Sequence, residues 1–85
     1  MQPLIKPQIS LNGTSKERLL EQQQDVLECF HQLMDAMSEA MPHGRDYIRQ
    51  PFQYPLARDA WLERLKAIQA LSDEIEQHAI SISET

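Results

Sequence analysis

With 85 residues, only two glycines, 41% hydrophobic and 25% charged side chains, the chain has room for one domain and argues against a turn-rich all-β fold. Its formal charge of −5 argues against tight, non-specific binding to long nucleic acid, which needs clustered cations and few competing anions. The single cysteine, Cys29, cannot close an internal disulfide, and no apolar run reaches the length of a membrane span or signal-peptide core, so a reducing, cytoplasmic setting without membrane contact is expected.

Residues 1–13 carry Pro3 and Pro7, which fix φ and remove backbone donors, and they predict an extended arm. Ile5, Ile9 and Leu11 suggest that this arm lies against another surface. Asn12-Gly13 is a turn signal. Thr14-Ser15-Lys16-Glu17 reads as a capping box, with the Thr14 hydroxyl and the Glu17 carboxylate satisfying amides at a helix start.

The first helix is expected over about 15–41. Its apolar positions recur as Leu19, Val26, Leu33 and Ala40 and, one residue on, as Leu20, Leu27, Met34 and Met41, with Phe30 and Met37 on the same side. These rows span roughly 100° of the helix, a stripe wide enough for more than one partner helix. The Leu20, Leu27, Met34 and Met41 row is expected to remain as an exposed patch for self-association. Pro42 blocks continuation of the helix, and Gly44 is expected to supply a left-handed cap.

A loop over 42–54 follows, longer than the roughly two to eight residues usual between bundle helices, which points to function. Pro55 suits the first turn of a second helix, expected over about 55–79, with the stripe Ala57, Trp61, Leu65, Ile68, Leu71, Ile75 and Ala79 and a polar interruption at Ser72. Two helices of about 25 residues each reach roughly 37 Å and can pair along their whole length. In the tail 80–85, Ile80-Ser81-Ile82-Ser83 alternates like a strand, as does Gln8-Ile9-Ser10-Leu11 at the same end of the hairpin. A short strand pair and a frayed helix end both remain open there. The predicted fold is all-α: an extended N-terminal arm and a long antiparallel two-helix hairpin domain over 14–79, oligomerising into a helical bundle.

Four of the five aromatic residues, Tyr47, Phe52, Tyr54 and Trp61, lie in the loop or the first turns after it. Between Pro42 and Lys66, five cations face three carboxylates, a net +2, whereas the remaining residues carry three against ten, a net −7. Arg45 and Arg49 with His43, Asp46 and Tyr47 therefore form a candidate site for a planar, phosphate-bearing ligand, because arginine forks bind phosphate and aromatic rings stack on bases. The same residues also admit a purely structural account: a helix stop at His43-Gly44, a local Arg45–Asp46 ion pair, and a small satellite core of Phe52, Tyr54 and Trp61. Asn12 and Thr14 are read as a turn and a cap, and as candidate contributors to the ligand site from the far end of the first helix.

Catalytic and metal chemistry finds little support. Glu28 and His31 match a metal-bundle spacing without the second copy or inward projection such sites require, and Glu74 with His78 is treated likewise. Cys29 has no neighbouring cation to activate it, and neither a nucleophilic triad pattern nor a phosphate-binding glycine loop is present. No cofactor, no metal and no enzymatic activity are expected.

The pairing of Leu11-Asn12-Gly13-Thr14-Ser15 with His43-Gly44-Arg45-Asp46-Tyr47 resembles a set of small uncharacterised proteins encoded in tailed-phage and prophage genomes. The resemblance extends from about Ile9 to Ile75. In that set an aromatic residue commonly follows the tyrosine, where Ile48 stands here. It implies a phage origin and a cytoplasmic location in the infected host cell, and it supplies no biochemical activity. In size and helical build the chain is also similar to phage sponge proteins that oligomerise and sequester cyclic-nucleotide signals of bacterial immunity. The expectation drawn from residues and resemblance together is a non-enzymatic, counter-defence binding protein. It would be a homo-oligomer that captures a cyclic nucleotide or other small phosphate ligand. The alternatives are an inhibitor of a host defence or regulatory protein, and a virion assembly accessory.

Overall fold

The computed structural model describes all 85 residues and is entirely helical apart from its arm and connections. Helix α1 spans Lys16–Glu39 and helix α2 spans Gln53–Ser83, joined through a single 3₁₀ turn at Gly44–Tyr47. The two helices run antiparallel in a slender body of 63 × 22 × 17 Å. Met37 meets Trp61 near the closed end, and Lys16 meets Thr85 at the open end, 69 positions away in sequence.

The start of α1 is built one residue later than the expected capping box. Gly13 N–H donates to the Ser10 carbonyl at 3.3 Å, closing a turn centred on Leu11-Asn12, one residue before the expected Asn12-Gly13 pair, and a Cβ at position 13 would come within 3.0 Å of Ser10 Oγ. Ser15, not Thr14, then caps the helix: it is extended at φ −64° and ψ 154°, and its hydroxyl accepts from Arg18 N–H at 3.1 Å. With Arg18 three residues beyond the cap, no reciprocal carboxylate is in place. Glu17 instead lies in the first turn, where its charge favours the helix dipole.

At its other end α1 stops because Pro42 has no N–H to give. Met41 N–H turns back to Ser38 at 3.4 Å, Ala40 closes the helix at φ −87° and ψ 7°, and no glycine has positive φ. The left-handed cap expected at Gly44 is therefore not formed; Gly44 opens the 3₁₀ turn instead. Helix α2 begins two residues before Pro55. The proline sits in the first turn, where a missing N–H costs nothing because those donors have no intrahelical partner. Helix α2 also continues through Ser83, so Ile80-Ser81-Ile82-Ser83 is neither a strand nor a frayed end. The 3–4 spacing of Ile75, Ala79 and Ile82 carries the inward face onward, leaving Ile82 1% exposed and Ile80 42% exposed.

The half-buried positions of α1 are Lys16, Leu19, Leu20, Gln23, Leu27, Phe30, Met34 and Met37, and from Leu20 onward they keep a 3–4 repeat that marks the face laid on α2. This corrects the expectation that Leu20, Leu27, Met34 and Met41 form the free patch. The helix turns that row onto its neighbour and leaves the adjacent one outside from Val26 onward, with Val26 41% and Leu33 45% exposed. Only Ile82 and Ser72 are fully buried, so the hairpin is a single contact layer with almost no enclosed core. No helix is long and apolar enough to cross a membrane. The arm lies along the second half of α2, Met1–Leu4 and Lys6 lining an open groove with Asp73, Glu74, Gln77, His78 and Ser81. Pro7 is its half-buried residue, while Ile5 and Leu11 stay exposed.

Candidate functional site

The closed end of the hairpin brings five of the candidate residues together. His43 is extended and begins the 3₁₀ turn, its Nδ1 accepting from Arg45 N–H at 3.2 Å while its carbonyl accepts from Asp46 N–H at 3.0 Å. The imidazole is thus committed to holding the turn. Arg45, Asp46, Tyr47 and Arg49 line a shallow open depression that continues past Gln50 to Gln53.

Underneath, Tyr47 and Tyr54 form a tilted ring pair with centroids 6.1 Å apart at 41°. Gly44 lies over Tyr54, whose ring carbons would be 3.9–4.0 Å from a Cβ at that position. Arg58 stacks above the other part of this cluster, its guanidinium carbon 5.8 Å from the Tyr54 centroid, and pairs with Asp59 at 3.4 Å. Arg58 was not singled out by the sequence, although its i,i+4 spacing from Tyr54 on a helix is the signal that predicts the contact. Phe52 remains 69% exposed and does not join a satellite core.

The charges of the loop itself, Arg45, Asp46 and Arg49, are unpaired. The ion pairs of the chain are Arg18–Glu21 and Arg58–Asp59, so the local Arg45–Asp46 pair is not formed and the Arg45 and Arg49 side chains have no carboxylate partner. Asn12 and Thr14 lie at the opposite end, beyond a helix of 24 residues that rises about 36 Å. One subunit therefore does not bring them to the Arg45 loop. No three His, Cys, Asp or Glu side chains converge to hold a metal ion. Glu28 and His31 are exposed on α1, and His78 is half-buried beside the arm.

The arrangement offers two unpaired guanidinium groups, a tyrosine ring and two glutamine amides around an open hollow, which is chemistry for binding an anion. No protein-family model, curated protein or solved structure matches the chain.

Proposed function

We propose that the chain is a non-enzymatic binding protein that assembles with copies of itself and captures a small anionic, nucleotide-derived ligand at the Arg45 loop. The observation that supports the reading is the pair of guanidinium groups, Arg45 and Arg49, without intramolecular carboxylates beside the Tyr47 ring. The phage origin, and the counter-defence role in an infected host that follows from it, rest on the resemblance of the two short motifs alone.

Thermal unfolding of the full chain with a panel of cyclic mono- and dinucleotides tests this. A ligand at a hundredfold excess over its Kd stabilises by about 2.7 kcal/mol, a rise on the order of 10 °C for a domain of this size. Arg45→Ala should remove the shift while helix content stays the same. No shift with any nucleotide, together with retention of a host protein on gentle purification, would replace this reading by that of a protein-directed inhibitor.

A further inference from the structure

Helix α1 carries two apolar seams, not one. The first faces α2. The second is offset by a single residue and consists of Leu19, Val26, Leu33 and Ala40 with Cys29 and Ala36 between them, again at alternating spacings of three and four. Such a pattern places a continuous contact face along a helix. Here Val26, Cys29, Leu33, Ala36 and Ala40 are exposed, and Asp25, Val26, Cys29, Phe30 and Leu33 line an open, almost wholly apolar depression.

The size of the exposed surface says how much is left to cover. A folded monomer of 9.9 kDa is expected to expose about 5,200 Å². This chain exposes 6789 Å², an excess of about 1,600 Å² to which the extended arm and the slender shape contribute, and about half of that excess would match the roughly 800 Å² that each partner buries in a standard interface.

Charge identifies the occupant. The only cations of α1, Lys16 and Arg18, lie in its first turn, whereas its second half carries Asp35 and Glu39 and its last turn has no basic residue. A second α1 laid antiparallel brings Arg18 beside the partner's Glu39, and two-fold symmetry repeats the pair. It also sets a cation against each uncompensated helix C-terminus. A parallel copy would instead set Arg18 beside the partner's Gln23 and Asp25 beside the partner's Phe30, so that no opposite charges meet. The intrahelical Arg18–Glu21 pair is solvent-exposed, at 57% and 64%, and therefore exchanges at little cost.

We infer that the outer seam of α1 seats the same seam of a second copy of this chain, antiparallel, about a two-fold axis beside Cys29. The pairing of Arg18 with the partner's Glu39 puts the axis between positions 28 and 29. Val26 then lies near the partner's Leu33, and Leu19 near the partner's small Ala40, so large side chains meet large ones at the centre and small ones at the ends. The inference stands without the anion reading, yet it bears on it. An antiparallel α1 pair places the Asn12–Thr14 segment of one chain at the end occupied by the Arg45 loop of the other, so motifs kept apart in one subunit meet in the dimer.

Thiol cross-linking of the full chain with a short bifunctional maleimide, read beside the mass from light scattering, tests the inference. The wild-type protein should have the mass of two chains, or an even multiple, and cross-link through Cys29. With Cys29→Ser as background, Gln22→Cys alone should not cross-link, because antiparallel copies hold the two positions about 20 Å apart along the axis. Gln22→Cys mixed with Ala36→Cys should cross-link. Leu33→Glu should weaken the association at least tenfold. These cysteine variants place no charge in the seam, so their pattern still decides if Leu33→Glu loses its helices on dissociating. A one-chain mass at micromolar concentration, alone or with a host protein retained, overturns the inference. So does Gln22→Cys cross-linking to itself, or a helical Leu33→Glu of unchanged mass.

Discussion

The indole Nε1 of Trp61 donates to the carbonyl oxygen of Met37 at 2.8 Å, joining the early turns of α2 to the last turn of α1. Met37 is in the last turn of α1, and Met41 N–H, which a longer helix would supply to it, bonds Ser38 instead because Pro42 ends the helix. The tryptophan thus caps from outside a carbonyl that the chain reversal leaves without an intrahelical partner. The bond couples helix termination to hairpin closure.

Trp61→Phe keeps most of the ring and removes only the donor. With the Met37 carbonyl left unsatisfied in a half-buried place, the loss should be about 1–2 kcal/mol, seen as a fall of roughly 4–15 °C in Tm. Amide exchange should quicken first in the last turn of α1. An unchanged Tm would show that water replaces the indole at no cost.

Separate alanine substitutions locate the start of α1. Ser15→Ala removes the hydroxyl that accepts from Arg18 N–H and should cost about 1 kcal/mol. Thr14→Ala removes a side chain with no such bond and should stay within about 0.5 kcal/mol. Equal losses in chemical denaturation would contradict the cap assignment.

The helical hairpin was legible because periodicity reports which faces are apolar, and matched helix lengths report that they can pair. Periodicity did not say which of two rows, one residue apart, would face α2. Leu20 and Leu19 differ by one step of about 100°, and that choice is made by the partner helix. The Ile80–Ser83 alternation was ambiguous for a related reason: over so short a run an alternating pair fits one face of a strand, or two opposite faces of a helix in which only Ile82 continues the Ile75–Ala79 spacing. At the site, the unpaired Arg45 and Arg49 could be suspected from the local charge balance. The use of His43 Nδ1 as an acceptor for Arg45 N–H depends on a backbone turn that residue types alone do not specify.

Ile82 provides the sharpest test of the extended α2. It is 1% exposed at the level of the first turns of α1, and Ile82→Ala should cost about 2–5 kcal/mol. Ile80→Ala, at a position 42% exposed, should cost less than about 1 kcal/mol. Denaturant midpoints that rank the two the other way would place the wrong isoleucine inside.

Gly44 can be replaced. Its φ is not positive, and a Cβ would touch the Tyr54 ring at an ordinary 3.9 Å. Gly44→Ala should therefore leave stability unchanged or raise it by about 0.4–1 kcal/mol, through lower entropy of the unfolded chain. A loss of more than about 1 kcal/mol would mean that the turn needs a conformation only glycine adopts.

Arg45 separates structure from binding. Its backbone N–H helps to hold the 3₁₀ turn, but its side chain has no carboxylate partner, so truncation removes nothing the fold uses. Arg45→Ala should stay within about 0.5 kcal/mol of wild type in thermal unfolding, and Arg49→Ala likewise. Arg58→Ala, which loses the Tyr54 stacking and the Asp59 pair, should be the most destabilising of the three. If an anionic ligand is held in a bidentate fork, Arg45→Lys should keep the charge and still bind at least tenfold more weakly in calorimetry, since an ammonium cannot present two parallel donors. Retention of full affinity by the lysine variant would make the contact a point-charge one. A cooperative loss of helix on Arg45→Ala would instead make the side chain a structural tie, and the loop only the hinge of the hairpin.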